Sequence, residues 1–166
     1  MKPLTFNLYA LSAALAVLHG VYFYPVMPDV MAVHFGSAGV PDGFSSQETF
    51  FAVAFGMIAL NVTVFGFGPW IVQRKRIRRL SLPNSGRWLA PGNIDEFYFF
   101  FREKMAWFGI VNLVFGSIVS QLVFNANSVP EPRLDGFSFF VLLTAYFVFV
   151  IIWLFAFFRK LSADRG

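Results

Sequence analysis

Two histidines and nine carboxylates are the ordinary acid–base and metal-binding side chains of a 166-residue chain that holds no cysteine. A thiolate metal site, a thiol nucleophile and a disulfide framework are therefore all excluded. His34 shares one stretch with Asp29, Asp42 and Glu48. One imidazole and three carboxylates are a donor set for a divalent cation and, through it, for metal-assisted hydrolysis. Their spacing matches no zinc pattern, and a zinc site draws on more His or on Cys, so no metal is assigned. The bland reading has Asp42 capping a turn over Pro41, Asp42 and Gly43, with His34 bonded to loop backbone. His19 stands in an apolar run, where an ionisable group is a candidate for a substrate or proton path. No second ionisable residue lies in any such run, so a relay lacks its next member. Ser12, Ala16, His19 and Gly20 on one helical face, and Asn112, Gly116 and Ser120 on another, read instead as stripes for helix packing.

The elements that must hold these residues are membrane spans. Of the chain, 57% is hydrophobic and 13% charged, against about 25% charged in soluble domains. A bilayer core about 30 Å thick calls for about 20 apolar residues in helix. Residues 4–24, 49–73, 105–124 and 136–158 meet that need. A cleaved signal peptide would end near Ala14 and Ala16, but the apolar run continues to Tyr24, so the first stretch reads as a span. The fold class is thus all-α and integral to the membrane, a single domain over residues 1–166 with four transmembrane helices.

Charge sets the orientation. Twelve of 13 Lys and Arg fall beside apolar stretches, eight of them between Arg74 and Lys104. That pattern is a topology signal and argues against nucleic acid. It places both termini and the basic loop 74–104 on the cytoplasmic side, and the loops 25–48 and 125–135 outside. Arg74 to Arg79 would attract anionic headgroups, and Arg87 and Trp88 are placed at the same headgroup level.

Within the outer loop, Val30 to Phe35 suits a short extended segment. Gly36 and Gly39 allow positive φ, and Pro41, Asp42 and Gly43 read as a turn. Ser45 with Glu48 reads as a capping box opening the second span, and Asn93 with Glu96 as one opening a helix that runs into the third. Pro69 predicts a kink near the cytoplasmic end of the second span.

Tyr24, Pro25, Pro28, His34, Phe35, Gly39, Pro41, Asp42 and Ser46 also make the loop resemble the uncharacterised membrane domain at the N-terminus of SdpI-type immunity proteins. Met27, Phe44 and Gln47 stand where that pattern has Leu, Trp and Lys. The stretch LPNSGRWLAPGN resembles a second element of the same family, so the likeness runs over most of Tyr24 to Gly109. It implies a bacterial inner-membrane protein and allows immunity to a toxic peptide or a signalling role. Immunity coupled to repressor recruitment belongs to longer members with a further membrane domain.

The expectation is therefore a membrane binding or accessory protein. His34, Asp29, Pro41, Asp42 and Gly43 would meet a peptide, lipid or protein partner outside. Arg87, Trp88 and the basic loop would meet headgroups or a soluble protein inside, and no cofactor is implied. The alternatives are a metal-assisted membrane enzyme built on the His34 loop and a small transporter component.

Overall fold

The computed structural model describes residues 1–71, 84–88, 90 and 92–162. The basic cluster Arg74 to Arg79, parts of the LPNSGRWLAPGN stretch, and Arg165 lie outside the described residues.

Four helices are long and apolar enough to cross a bilayer, at Pro3–Val26, Gln47–Phe67, Ile94–Asn127 and Gly136–Ser162, so the chain is a multi-pass membrane protein. Helix α1 (Pro3–Phe23) opens with a proline in its first turn, where the missing N–H is no loss. It tightens into a 3₁₀ turn at Tyr24–Val26. Helix α2 (Gln47–Asn61) starts at Ser46, whose hydroxyl accepts from the Thr49 amide at 3.2 Å. The cap thus falls one residue after the expected Ser45, because the strand paired with Val30 and Met31 runs on through Ser45 and ends at Ser46.

Beyond α2 the backbone widens to a π-helical turn, Val62–Phe67, with the Gly68 amide bonded to the Thr63 carbonyl five residues back. Helix α3 (Gly68–Ile71) follows. Pro69 has no N–H to give Phe65 and would crowd its carbonyl, so the preceding turn takes up the strain. The expected kink is thus realised as a widened turn ahead of the proline.

After the short α4 (Ser85–Trp88), α5 (Ile94–Asn127) is one 34-residue helix, about 51 Å long at 1.5 Å per residue. It exceeds the hydrocarbon thickness and forms the spine of the bundle. Helix α1 packs chiefly along α5, and α6 (Gly136–Ser162) packs against α5 alone among the stronger helix contacts.

Three clusters fill the interior along this spine. Met27, Met31, Phe51 and Phe124 lie at one end. Tyr9, Ala16, Ala106, Ile110 and Leu113 lie between α1 and α5, and Trp88, Phe97 and Leu161 lie at the other end. In lipid such contacts act through close packing and hydrogen bonds across helices. The Tyr9 hydroxyl donates to Asn61 Oδ1 at 2.8 Å, and Asn61 Nδ2 donates to the Gly109 carbonyl at 3.3 Å, tying α1, α2 and α5. The Tyr146 hydroxyl donates to Asn112 Oδ1 at 2.7 Å, joining α6 to α5. The two expected packing stripes meet only in part. His19 Nε2 reaches Gln121 Oε1 at 2.8 Å, while a Cβ on Gly116 would meet nothing within 4 Å.

Candidate functional site

At one end of the bundle the chain between α1 and α2 forms an antiparallel hairpin, β1 (Val30–Phe35) and β2 (Pro41–Ser46). The extended segment expected at Val30 to Phe35 is β1. The turn, however, is not at Pro41 to Gly43. It runs from Gly36 to Val40, closed by Gly39 N–H to Gly36 C=O at 2.8 Å and Gly36 N–H to Val40 C=O at 2.9 Å, with Gly39 at φ 74°. Glycine takes that φ without steric cost, and proline is tolerated as the first residue of a strand. Pro41 therefore opens β2, and Gly36 keeps an ordinary φ.

The register explains why His34 and Asp42 meet. Ala32 faces Phe44, His34 faces Gly43, and Phe35 faces Pro41. Val33 on β1 and Asp42 on β2 are left without opposite numbers, and such bulges re-aim the neighbouring side chains. Gly43 is required opposite His34, since a Cβ there would lie 2.8 Å from the His34 Cβ. His34 Nδ1 and Asp42 Oδ1 then form a short contact, so His34 bonds a carboxylate where the sequence suggested loop backbone. Both side chains face solvent, at 75% and 53% exposure. A carboxylate on Nδ1 orients the ring and leaves Nε2 to meet an incoming group.

Three anchors from three parts of the bundle fix the hairpin. Asn127, at the end of α5, accepts from the Ala32 amide at 2.7 Å and donates to the Ala32 carbonyl at 2.9 Å. Its side-chain amide occupies the free edge of β1 as a third strand would. Gln47 Nε2 donates to the carbonyls of Tyr24 and Met27, and its own amide bonds the Asp29 carbonyl at 2.9 Å. The Leu134 amide bonds the Gly39 carbonyl at 2.9 Å, so the turn rests on the segment before α6. Beneath it, Met31 and Ala32 are fully covered.

Asp29 and Glu48 are exposed on the same end. Among the described residues no three His, Asp or Glu side chains gather as a metal-binding group, so neither joins the His34 and Asp42 pair in such a centre. Nearby, Asp135 accepts from the amide and the hydroxyl of Ser138 at the start of α6. Those bonds hold its carboxyl below the usual range.

Arg87 and Trp88 lie at the opposite end. Trp88 is not at the surface, where headgroup contact would need it. It has no exposed area and its Nε1–H donates to the Leu161 carbonyl at 2.8 Å. An indole N–H that finds a buried acceptor makes the ring a core residue. Arg87 is half-buried with its guanidinium 4.6 Å over the Trp88 ring. Asn93 stands at the start of α5 without a side-chain capping bond, and its Nδ2 donates to the Arg87 carbonyl at 3.0 Å.

Asn127 and Gln47 are the site residues that the sequence reading missed. The signal for Asn127 is an amide three positions beyond the apolar run, where a helix end meets backbone left unpaired by the sheet. On the far side, the backbone amide of Lys2 and the hydroxyl of Thr5 both bond Glu103, a second missed junction.

A domain of unknown function, DUF1648, is found at residues 11–58. The match runs from within α1 through the hairpin into α2, so it includes Asp29, His34 and Pro41 to Gly43 but not Arg87 or Trp88. No curated protein and no solved structure matches the chain.

Proposed function

We propose that the chain is a binding protein of the bacterial inner membrane whose hairpin faces outward and receives a peptide or partner protein. One observation carries the reading: a hairpin anchored from three sides leaves His34, Asp42 and Phe44 exposed. A surface held in place before its ligand arrives loses less entropy on binding. Asp29, Asp42, Glu48, Glu131 and Asp135 face a single cation, Arg133, at this end, so its field favours a cationic partner. The eight Lys and Arg between Arg74 and Lys104 support the orientation, with the basic loop and Arg87 toward anionic headgroups or a soluble partner inside. Protection against a secreted toxic peptide is the form that the likeness to SdpI-type proteins gives this role.

The test uses the full chain in detergent and a labelled amphipathic Lys/Leu peptide, with a Glu/Leu peptide of equal length as control. The cationic peptide should bind at least about tenfold more tightly, and Asp42→Asn together with His34→Ala should remove most of that preference. Equal binding of the two peptides, or no effect of the double substitution, would defeat the proposal.

A further inference from the structure

A half-open groove of about 680 Å³ runs down the bundle between α2 and α5, with Ala16, His19 and Gly20 of α1 also lining it and Tyr146 of α6 at its edge. Drug-sized ligands occupy cavities of about 300–1,000 Å³. Val53, Met57 and Val64 form one wall and are themselves exposed. The groove therefore opens sideways, into the hydrocarbon that the spans face. Along α2 and the π-helical turn its lining extends from Phe50 to Phe65, about 22 Å at 1.5 Å per residue. One leaflet of a bilayer measures about 15 Å of hydrocarbon, and about 20 Å with its headgroup region.

The two ends of the groove differ. Its upper end, at Phe50 and Phe124, adjoins the cluster under the hairpin. Its lower end is closed by the Tyr146 to Asn112 hydrogen bond at 2.7 Å and by Phe65 of the π-helical turn. Of the six polar side chains that line it, His19, Asn61, Asn112, Ser117 and Tyr146 hold hydrogen bonds within the protein, and Ser120 is the sixth. Asn112 also donates to the Phe108 carbonyl, the Ser117 hydroxyl to the Leu113 carbonyl, and Asn61 to Gly109. A polar segment of a partner helix would need such groups as bonding partners across the interface. A hydrocarbon chain needs none.

We propose that this groove holds one acyl chain of a phospholipid from the leaflet on the hairpin side, entering beside Phe50 and ending at Tyr146. The site is independent of any ligand at the hairpin. Gly116 gives a clean way to fill it, because it lines the groove and a Cβ there meets nothing within 4 Å. Gly56 is the matched control, an exposed α2 glycine that also has open space but does not line the groove.

The experiment purifies the full chain and its Gly116→Leu, Ala54→Leu and Gly56→Leu variants in mild detergent, then counts retained phospholipid by native mass spectrometry. Ala54 fills the groove from the α2 wall and guards against a folding defect peculiar to Gly116. The wild type and Gly56→Leu should keep about one phospholipid per chain, and both filling variants should fall to about a fifth of that. Unchanged retention in the filling variants, or no retained lipid in the wild type, overturns the proposal. So does a change from dimer to monomer in the filling variants, which would assign the groove to a second copy.

Discussion

Removing the Asn127 side chain should release the hairpin without unfolding the bundle. The amide makes two bonds to Ala32, at 2.7 and 2.9 Å, and a third to the Val123 carbonyl at 2.9 Å. Ala32 is 1% exposed, so in Asn127→Ala its N–H and C=O are left buried without partners. Each unsatisfied buried group costs about 1–3 kcal/mol. Two of them put the docked hairpin about 3 kcal/mol higher, which is roughly a 150-fold change in the opening equilibrium. Hydrogen exchange of the full chain in detergent, read on peptides covering residues 27–46, measures this directly. Protection there should fall by about two orders of magnitude, while α5 peptides around Ile110 keep theirs. Asn127→Asp is the stricter test. It preserves shape and the acceptor for the Ala32 amide but replaces the donor with a carboxylate facing two carbonyls, so protection should fall at least as far. If either variant exchanges within about threefold of wild type, the edge-capping argument is wrong.

Other substitutions examine different links in the chain of reasoning. In right-side-out vesicles, an impermeant maleimide should label Ser37→Cys and not Ser85→Cys, and the reverse result would invert the proposed orientation. Trp88→Phe keeps most of the buried ring but leaves the Leu161 carbonyl without its donor. The thermal midpoint in detergent should drop by an amount equivalent to about 1–2 kcal/mol, and an unchanged midpoint would return Trp88 to the surface. Gly39→Ala should loosen the turn, because a Cβ at φ 74° would sit 2.4 Å from the Leu134 carbonyl oxygen. Faster exchange confined to residues 36–41 is the expected sign, and normal protection would contradict the docking of turn on loop. Asp135 has a carboxyl lowered by Ser138, so its capping is complete above the ordinary carboxylate range and is lost as pH falls through the lowered value. The first turn of α6 should therefore fray on acidification below about pH 4. Asp135→Asn, which still caps, should remove that acid step, and an acid step that survives in it would assign the titration elsewhere.

The spans were legible because a bilayer makes composition decisive over stretches of about 20 residues. Strand β1 was legible too, since Val30, Val33 and Phe35 suit a strand. Strand β2 was not. Pro41, Gly43 and the two serines each favour a turn locally, and only pairing with β1, itself held by Asn127 from 95 positions away, draws them into extended form. Trp88 misled for a related reason. A tryptophan in a basic segment between spans has the chemistry of an interfacial anchor, but its N–H acceptor lies 73 positions along the chain at the end of α6. His34 and Asp42 were visible as chemistry without being visible as a pair, because the two bulges that bring them together follow from the register.

A two-stranded hairpin has little stability of its own in water. The platform at this end of the molecule therefore exists only while Asn127 of α5, Gln47 of α2 and the Leu134 segment before α6 hold their relative places. Each anchor belongs to a different span or span entry, so the geometry of the His34 and Asp42 pair depends on how three spans sit together. A partner seated on the hairpin would in turn favour that arrangement, by as much as its affinity for the docked form exceeds its affinity for the undocked one. The same dependence explains why the proposed binding surface is set at the end of the bundle. There backbone can leave helical form and still find amide partners, whereas lipid-facing backbone inside the hydrocarbon has to be satisfied within its own helix.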